Sequence, residues 1–136
     1  MPHSRYEMTR QEYINMFVLS FFYGMKIIDS QIQLRQLVGM QEHYFGDMVK
    51  GVVDVKRGLL AVDAELHADL EKYLLESGSA QPDLWGINLY PELEGDEFLE
   101  FDSIINIRPG QNNPSWDVLD PVVREKIRTL VSSLVV

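Results

Sequence analysis

The sequence predicts an α+β domain. The expected form is a two-layer sandwich, with a mostly antiparallel sheet built from two hairpins and helices on one face. Three observations carry this. Two stretches, Met48–Val62 and Leu84–Arg108, read as strand, turn, strand. Three stretches carry apolar residues at helical spacing, and the order along the chain is β-α-β-β-α-β-β-α.

The segment from Leu84 to Ser115 is the densest in polar side chains. In its second arm Leu99, Phe101, Ile105 and Ile107 alternate with Glu100, Asp102, Asn106 and Arg108, the pattern of a strand with one wet face. Ser103, Phe98 and Ile104 interrupt the alternation. In the first arm Trp85, Ile87 and Leu89 share one face, while Gly86, Asn88 and Tyr90 share the other. Pro91 ends that arm, because proline has no N–H for a ladder. Pairing Leu89 with Leu99 places Asn88 opposite Glu100 and Gly86 opposite Asp102. Only this parity keeps both apolar faces on one side.

The remaining elements follow in order. Met25–Ile28 reads as a strand. Ser30 and Gln33 have capping-box spacing, so a helix starts there and carries Leu34, Leu37, Val38 and Met40. Met48–Val55 and Leu59–Val62 form a hairpin about Lys56-Arg57-Gly58. Asp63 is placed to cap a helix over Ala64–Ser77 with a stripe of Leu66, Leu70, Tyr73 and Leu74. Pro109–Ser115 is an irregular loop, which Trp116 and Val118 are expected to anchor in the core. Asp120-Pro121 opens the last helix, whose apolar face is Val123, Ile127, Leu130, Val131 and Leu134.

Residues 1–24 read as an N-terminal extension upstream of a single domain over 25–136. Thr9 and Glu12 have capping-box spacing, and a helix is expected from Arg10 to Tyr23. Its apolar run is too short for a membrane span, which takes about 20 residues. It is either an addition before a natural start at Met25 or a helix that docks on the core or a partner, self-association included.

With 136 residues the chain is long enough for one real core. It carries 21 acidic and 12 basic residues, a formal net charge of −9. Such a chain is repelled by nucleic-acid phosphates and anionic membranes unless it segregates a basic patch. None is evident, so neither partner is expected. There is no cysteine, hence no disulfide, thiolate metal site or cysteine nucleophile. This is compatible with the cytoplasm.

The runs FGDMVKGVVDVKRG, AVDAELHADLEKYLLESGS, QPDLWGINLYPE and FDSIINIRPGQNN resemble a small bacterial family known only as a domain of unknown function, DUF5674. The similarity extends from about Met25 to the C-terminal helix. The resemblance implies no activity, cofactor or functional residue.

Three groups of residues could carry chemistry. His67 and Glu71 stand one helical turn apart and could offer two metal ligands, although one pair is too few for a closed site. Glu100 and Asp102 lie roughly 7 Å apart along a strand, with Asn88 and Asn106 beside them. They could serve a divalent cation or acid–base work, or could simply be the solvated side of the sheet. Arg108, Gln111 and Asn112 belong to a loop whose backbone amides could cradle an anion, or whose polar side chains satisfy their own backbone. The expected function is a small non-catalytic binding or accessory protein. It would hold a small ligand or a protein on Asn88, Glu100, Asp102, Asn106, Arg108, Gln111 and Asn112. The alternative is a metal-assisted or acid–base hydrolase on the same face. No residue pattern names a cofactor.

Overall fold

In a computed structural model of the chain, residues 9–12 and 24–136 are described. The strands are β1 (Lys26–Ile28), β2 (Val49–Asp54), β3 (Leu59–Val62), β4 (Leu84–Leu89) and β5 (Leu99–Glu100). The helices are α1 (Leu34–Tyr44), α2 (His67–Glu76) and α3 (Pro121–Leu134). The five strands form one antiparallel sheet in the order β1-β3-β2-β4-β5. The chain is α+β, and its succession of elements is the expected one. Residues 9–12 make the predicted capping box, Thr9 and Glu12 exchanging backbone–side-chain bonds of 2.8 and 3.1 Å. The rest of the expected N-terminal helix lies outside the described residues.

The layering differs from expectation. One face of the sheet carries Val49, Val53, Leu60, Val62, Ile87 and Leu89 under α1 and α3, which contribute Leu37, Met40, Ile127, Val131 and Leu134. The opposite face carries Val52, Ala61 and Leu84 under Leu70 and Leu74 of α2. Helices therefore cover both faces rather than one. The reason is visible in β3, where all four residues are buried. A strand apolar on both sides needs cover on both sides.

Two caps also move. Ile32 pairs with Val135 in an isolated parallel bridge, its N–H donating to Leu134 O at 2.7 Å. That bridge at Ile32 is followed by an extended Gln33, so α1 starts one turn later than Ser30 predicts. Gln33 is its N-cap, donating its N–H to Gln36 Oε1 at 3.0 Å. Asp63 does not cap α2. It sits at φ +76° and accepts from His43 Nδ1 at 2.8 Å, while α2 begins at His67 with Leu66 as its N-cap. The delayed start leaves Leu66 exposed and buries His67.

The long hairpin is corrected most. Its register is as predicted: Leu89 faces Leu99 and Asn88 faces Glu100. The pairing then stops, and no strand runs on to Arg108. Ser103 Oγ accepts from Ile105 N–H at 3.3 Å and starts a 3-10 turn over Ile104–Asn106. The expected apolar face splits. Phe101 enters the core beneath α3, Ile105 packs on the α2 side, and Ile104 and Ile107 are exposed. Asn106 and Arg108, expected on the wet face, are buried.

Where a strand residue should face Gly86, a side chain does. Asn106 Oδ1 accepts from Gly86 N–H at 2.8 Å, and Asn106 Nδ2 donates to Gly86 O at 3.0 Å. An amide side chain thus completes the ladder. Gly86 permits this approach, since a Cβ there would lie 2.4 Å from Ser103 Oγ and 2.5 Å from Ser103 Cβ. Gly86→Ala is expected to cost about 1–3 kcal/mol by overpacking, read as a lower midpoint in urea unfolding. Gly39→Ala, in α1 with nothing within 4 Å, is the control and should be neutral or stabilising.

Candidate functional site

The register of the sheet sets up the site. Lys50 of β2 faces Asn88 of β4, which faces Glu100 of β5. Neighbouring strands lie about 4.8 Å apart, so these three residues form a row across one face. It is the α2 face, and the N-terminal turn of α2 ends above it. The chain leaving β5 passes beside the row as Asp102, Ser103 and Ile104. The result is an open cleft of about 530 Å³, lined by Lys50, His67 and Asn88. Tyr90, Glu100 and Asp102 lie along one side, and Met48, Leu66, Ile104 and Trp116 form an apolar wall. Its size is ordinary for a small-molecule site.

Asn88 is only 5% exposed. Its Nδ2 donates to Glu100 Oε1 at 2.8 Å and to Asp102 O at 3.2 Å. Glu100 Oε1 also accepts from the Tyr90 hydroxyl at 3.1 Å. Burial, then the nearby Glu100 carboxylate, raises the Tyr90 pKa, so this hydroxyl keeps its proton. Asn88 Oδ1 is buried and makes no well-formed hydrogen bond, although the Asn88 side chain interacts with the His67 ring and favours its protonated form.

His67 Nε2 lies 2.8 Å from Ile87 O. A carbonyl only accepts, so Nε2 carries the proton and Nδ1 of the neutral ring is left as an acceptor. Burial lowers the His67 pKa from 6.5 to about 4, against the raising effect of the Ile87 carbonyl; the Lys50 charge lowers it further. The ring is therefore neutral at pH 7.

Of the residues singled out from sequence, the structure brings Asn88, Glu100, Asp102 and His67 together. It places Asn106, Arg108, Gln111 and Asn112 elsewhere. Asn106 bonds Gly86 and Trp116 O. Arg108 donates to Ile105 O at 3.1 Å, Gln81 O at 2.9 Å, Gln111 Oε1 at 3.1 Å and also Leu84 O. Its guanidinium stacks 4.1 Å from the Trp85 ring centroid. It is a scaffold residue that ties the 81–84 and 105–111 segments together. Gln111 assists by donating to Pro82 O at 3.1 Å. Asn112 is exposed and supplies the left-handed residue of the turn, at φ +58°.

Glu71 parts from His67. Burial raises its pKa, opposed by the Arg108 charge and by a hydrogen bond with Gln81. It thus belongs to the Arg108 cluster, while His67 turns to β4. Among the described residues no group of three or more His, Cys, Asp or Glu is placed to hold a metal ion.

Sequence reasoning missed Lys50, Ser103, Ile104, Leu66 and Trp116 as cleft residues, whereas Tyr90, placed on the polar face with Asn88, does line the cleft. Lys50 is a charged residue between the apolar Val49 and Val52 of β2, which is a usable signal. Trp116, expected to anchor the loop, is 51% exposed and borders the cleft; Val118 is the buried anchor.

Fold and cleft together define an acidic α+β domain with a pocket at one edge of its sheet. The family model described as Protein of unknown function (DUF5674) matches residues 26–134, and the chain belongs to that family. No curated protein and no solved structure matches it. Among the described residues no helix is long and apolar enough to cross a membrane.

Two outcomes follow from this geometry. Arg108→Ala should destabilise the fold by about 3 kcal/mol by leaving buried carbonyls unpaired, and Arg108→Lys should not restore it, since a point charge cannot span them. Chemical denaturation measures both. Above pH 6.5 folded and unfolded chains both hold His67 neutral. As pH falls from 6.5 toward 4 the unfolded chain takes the proton first, so stability falls, by about 3 kcal/mol in all. Denaturation at pH 7 and pH 4.5 should show a steeper loss for the wild type than for His67→Gln. An NMR titration should find the ring neutral down to about pH 4.

Proposed function

We propose that the chain is a non-catalytic binding protein that holds a small ligand in the cleft between α2, β4 and the 100–104 segment. One observation carries this reading. A cleft of about 530 Å³ brings the polar side chains of Lys50, Asn88, Glu100 and Asp102 together beside exposed apolar ones. The exposed wall of Leu66, Ile104 and Trp116 supports it, since apolar surface beside convergent polar groups is the usual make-up of a ligand pocket.

The hydrolase reading required Asn88, Glu100, Asp102 and Arg108 to act together. Arg108 is committed to backbone carbonyls, and one Glu100 oxygen already accepts from Asn88 and Tyr90. A binding role needs neither group released. The lack of cysteine is compatible with the reducing cytoplasm of a bacterial cell as the setting for this role.

The test is a fragment screen followed by amide and indole NMR shifts on the full chain. The expected result is saturable shifts concentrated at Asn88, Glu100, Ile104 and the Trp116 indole. Trp116→Ala should weaken binding about tenfold with little change in stability, because the ring is half exposed. Fragments that bind only elsewhere, or none at all, would overturn the reading.

A further inference from the structure

Lys50 is half-buried in a chain with 21 acidic residues, yet among the described residues it forms no ion pair. Its ammonium lies 5.1 Å from the Phe45 ring centroid. Glu100 stands two places along the same row, with Asn88 between them. Strand spacing sets the Cα atoms of Lys50 and Glu100 about 10 Å apart. Glu100 is held on its own side, its Oε1 accepting from Asn88 Nδ2 at 2.8 Å and from the Tyr90 hydroxyl at 3.1 Å. Asp102 is exposed on that side and likewise forms no ion pair among the described residues. The cleft thus carries opposite charges that are kept apart rather than paired.

The rest of its lining is mixed. The Ser103 hydroxyl and the Trp116 indole N–H are neutral donors. His67 is neutral at pH 7 and adds no charge. Met48, Leu66, Ile104 and Trp116 give the apolar wall. A ligand of one sign answers only half of this. An amine suits the carboxylates but meets the Lys50 charge. A carboxylic acid suits Lys50 but must approach a chain of net charge −9. A zwitterion has no net charge and can engage both ends of the row. An α-amino acid carries its two charges at one end and its side chain at the other, as the cleft carries charges along the row and an apolar wall beside it.

We infer that the cleft binds a free α-amino acid with a bulky apolar side chain, its carboxylate on Lys50, its ammonium on Glu100 or Asp102, and its side chain against Leu66, Ile104 and Trp116. This inference rests on the cleft being a binding site and specifies what binds.

The experiment uses the full chain at pH 7 with phenylalanine and two analogues that each lack one charge, phenethylamine and 3-phenylpropionate. NMR shifts of the Asn88 and Ile104 amides and of the Trp116 indole report occupancy of the cleft. Phenylalanine should bind at least tenfold more tightly than either analogue. Lys50→Met keeps an apolar stem and removes the charge. It should weaken phenylalanine about tenfold and leave phenethylamine as tight or tighter. Asp102→Asn, at an exposed position, and Glu100→Gln should weaken phenylalanine and phenethylamine three- to tenfold and spare 3-phenylpropionate. The analogue ratio in the wild-type chain decides even where Lys50→Met does not fold. Three results each overturn the amino-acid inference and leave the binding site standing. In the first, either analogue fills the cleft as tightly as phenylalanine. In the second, other fragments shift the cleft residues and phenylalanine does not. In the third, phenylalanine affinity survives in a folded Lys50→Met chain, or in both carboxylate variants. If no probe and no fragment shifts the cleft residues, both readings fail.

Discussion

The structure turns on the early departure of β5 from the sheet. Two ladder residues, Leu99 and Glu100, are enough to fix the register and place Glu100 opposite Asn88. The chain then leaves the edge of β4, and the backbone groups it abandons need partners. Asn106 supplies a donor and an acceptor to Gly86, and Arg108 donates to Leu84 O. Side chains thus complete an edge that a continuous strand would otherwise have filled. The departure has a functional consequence. A strand continued to Arg108 would have held Asp102 flat on the sheet, whereas the departing chain raises Asp102, Ser103 and Ile104 into a wall.

That substitution of side chains for backbone divides the polar residues of the segment into two populations. Asn106, Arg108 and Asn113 are buried and satisfy carbonyls or amides, with Gln111 assisting from the surface. Asn113 alone donates to the carbonyls of Asn106 at 2.8 Å, Ser115 at 3.2 Å and Asp117 at 2.7 Å, and accepts from Leu119 N–H at 2.9 Å. Asn88, Glu100 and Asp102 face the cleft. The first population closes the fold and the second lines a surface that remains open. The two are separated by chain geometry rather than by residue type.

This explains what the sequence could and could not reveal. Period-two alternation correctly paired Leu89 with Leu99, because parity is a local property of side-chain direction. It failed beyond Phe101, because Ser103 turns the chain with a side-chain bond that competes with the ladder. The four apolar residues of β3 carried the evidence for cover on both faces, yet the helix stripes alone do not say which face each helix takes. Helix α2 begins at His67 rather than Ala64, so Leu66 stays exposed on the extended N-cap while His67 joins the expected Leu70 and Leu74 in the interior. Asp120-Pro121 held because cap and proline act on the backbone directly, Asp120 Oδ1 accepting from Val122 N–H at 2.8 Å.

Asn88 and Asn106 show two uses of a buried amide. Both are buried asparagines on or beside β4. Asn106 uses oxygen and nitrogen alike, as a structural amide should when its place is fixed by the fold. Asn88 uses its nitrogen twice and its oxygen not at all. Turning the amide over does not help. The oxygen would then face the Glu100 carboxylate and the Asp102 carbonyl, three acceptors together with no proton between them. The orientation is therefore imposed. Lys50 stands next in the row and would be the natural donor, but its ammonium is drawn toward the Phe45 ring. A sheet position that served only stability would be better filled by an apolar residue, as the neighbouring Val52, Ala61 and Leu84 are on the same face.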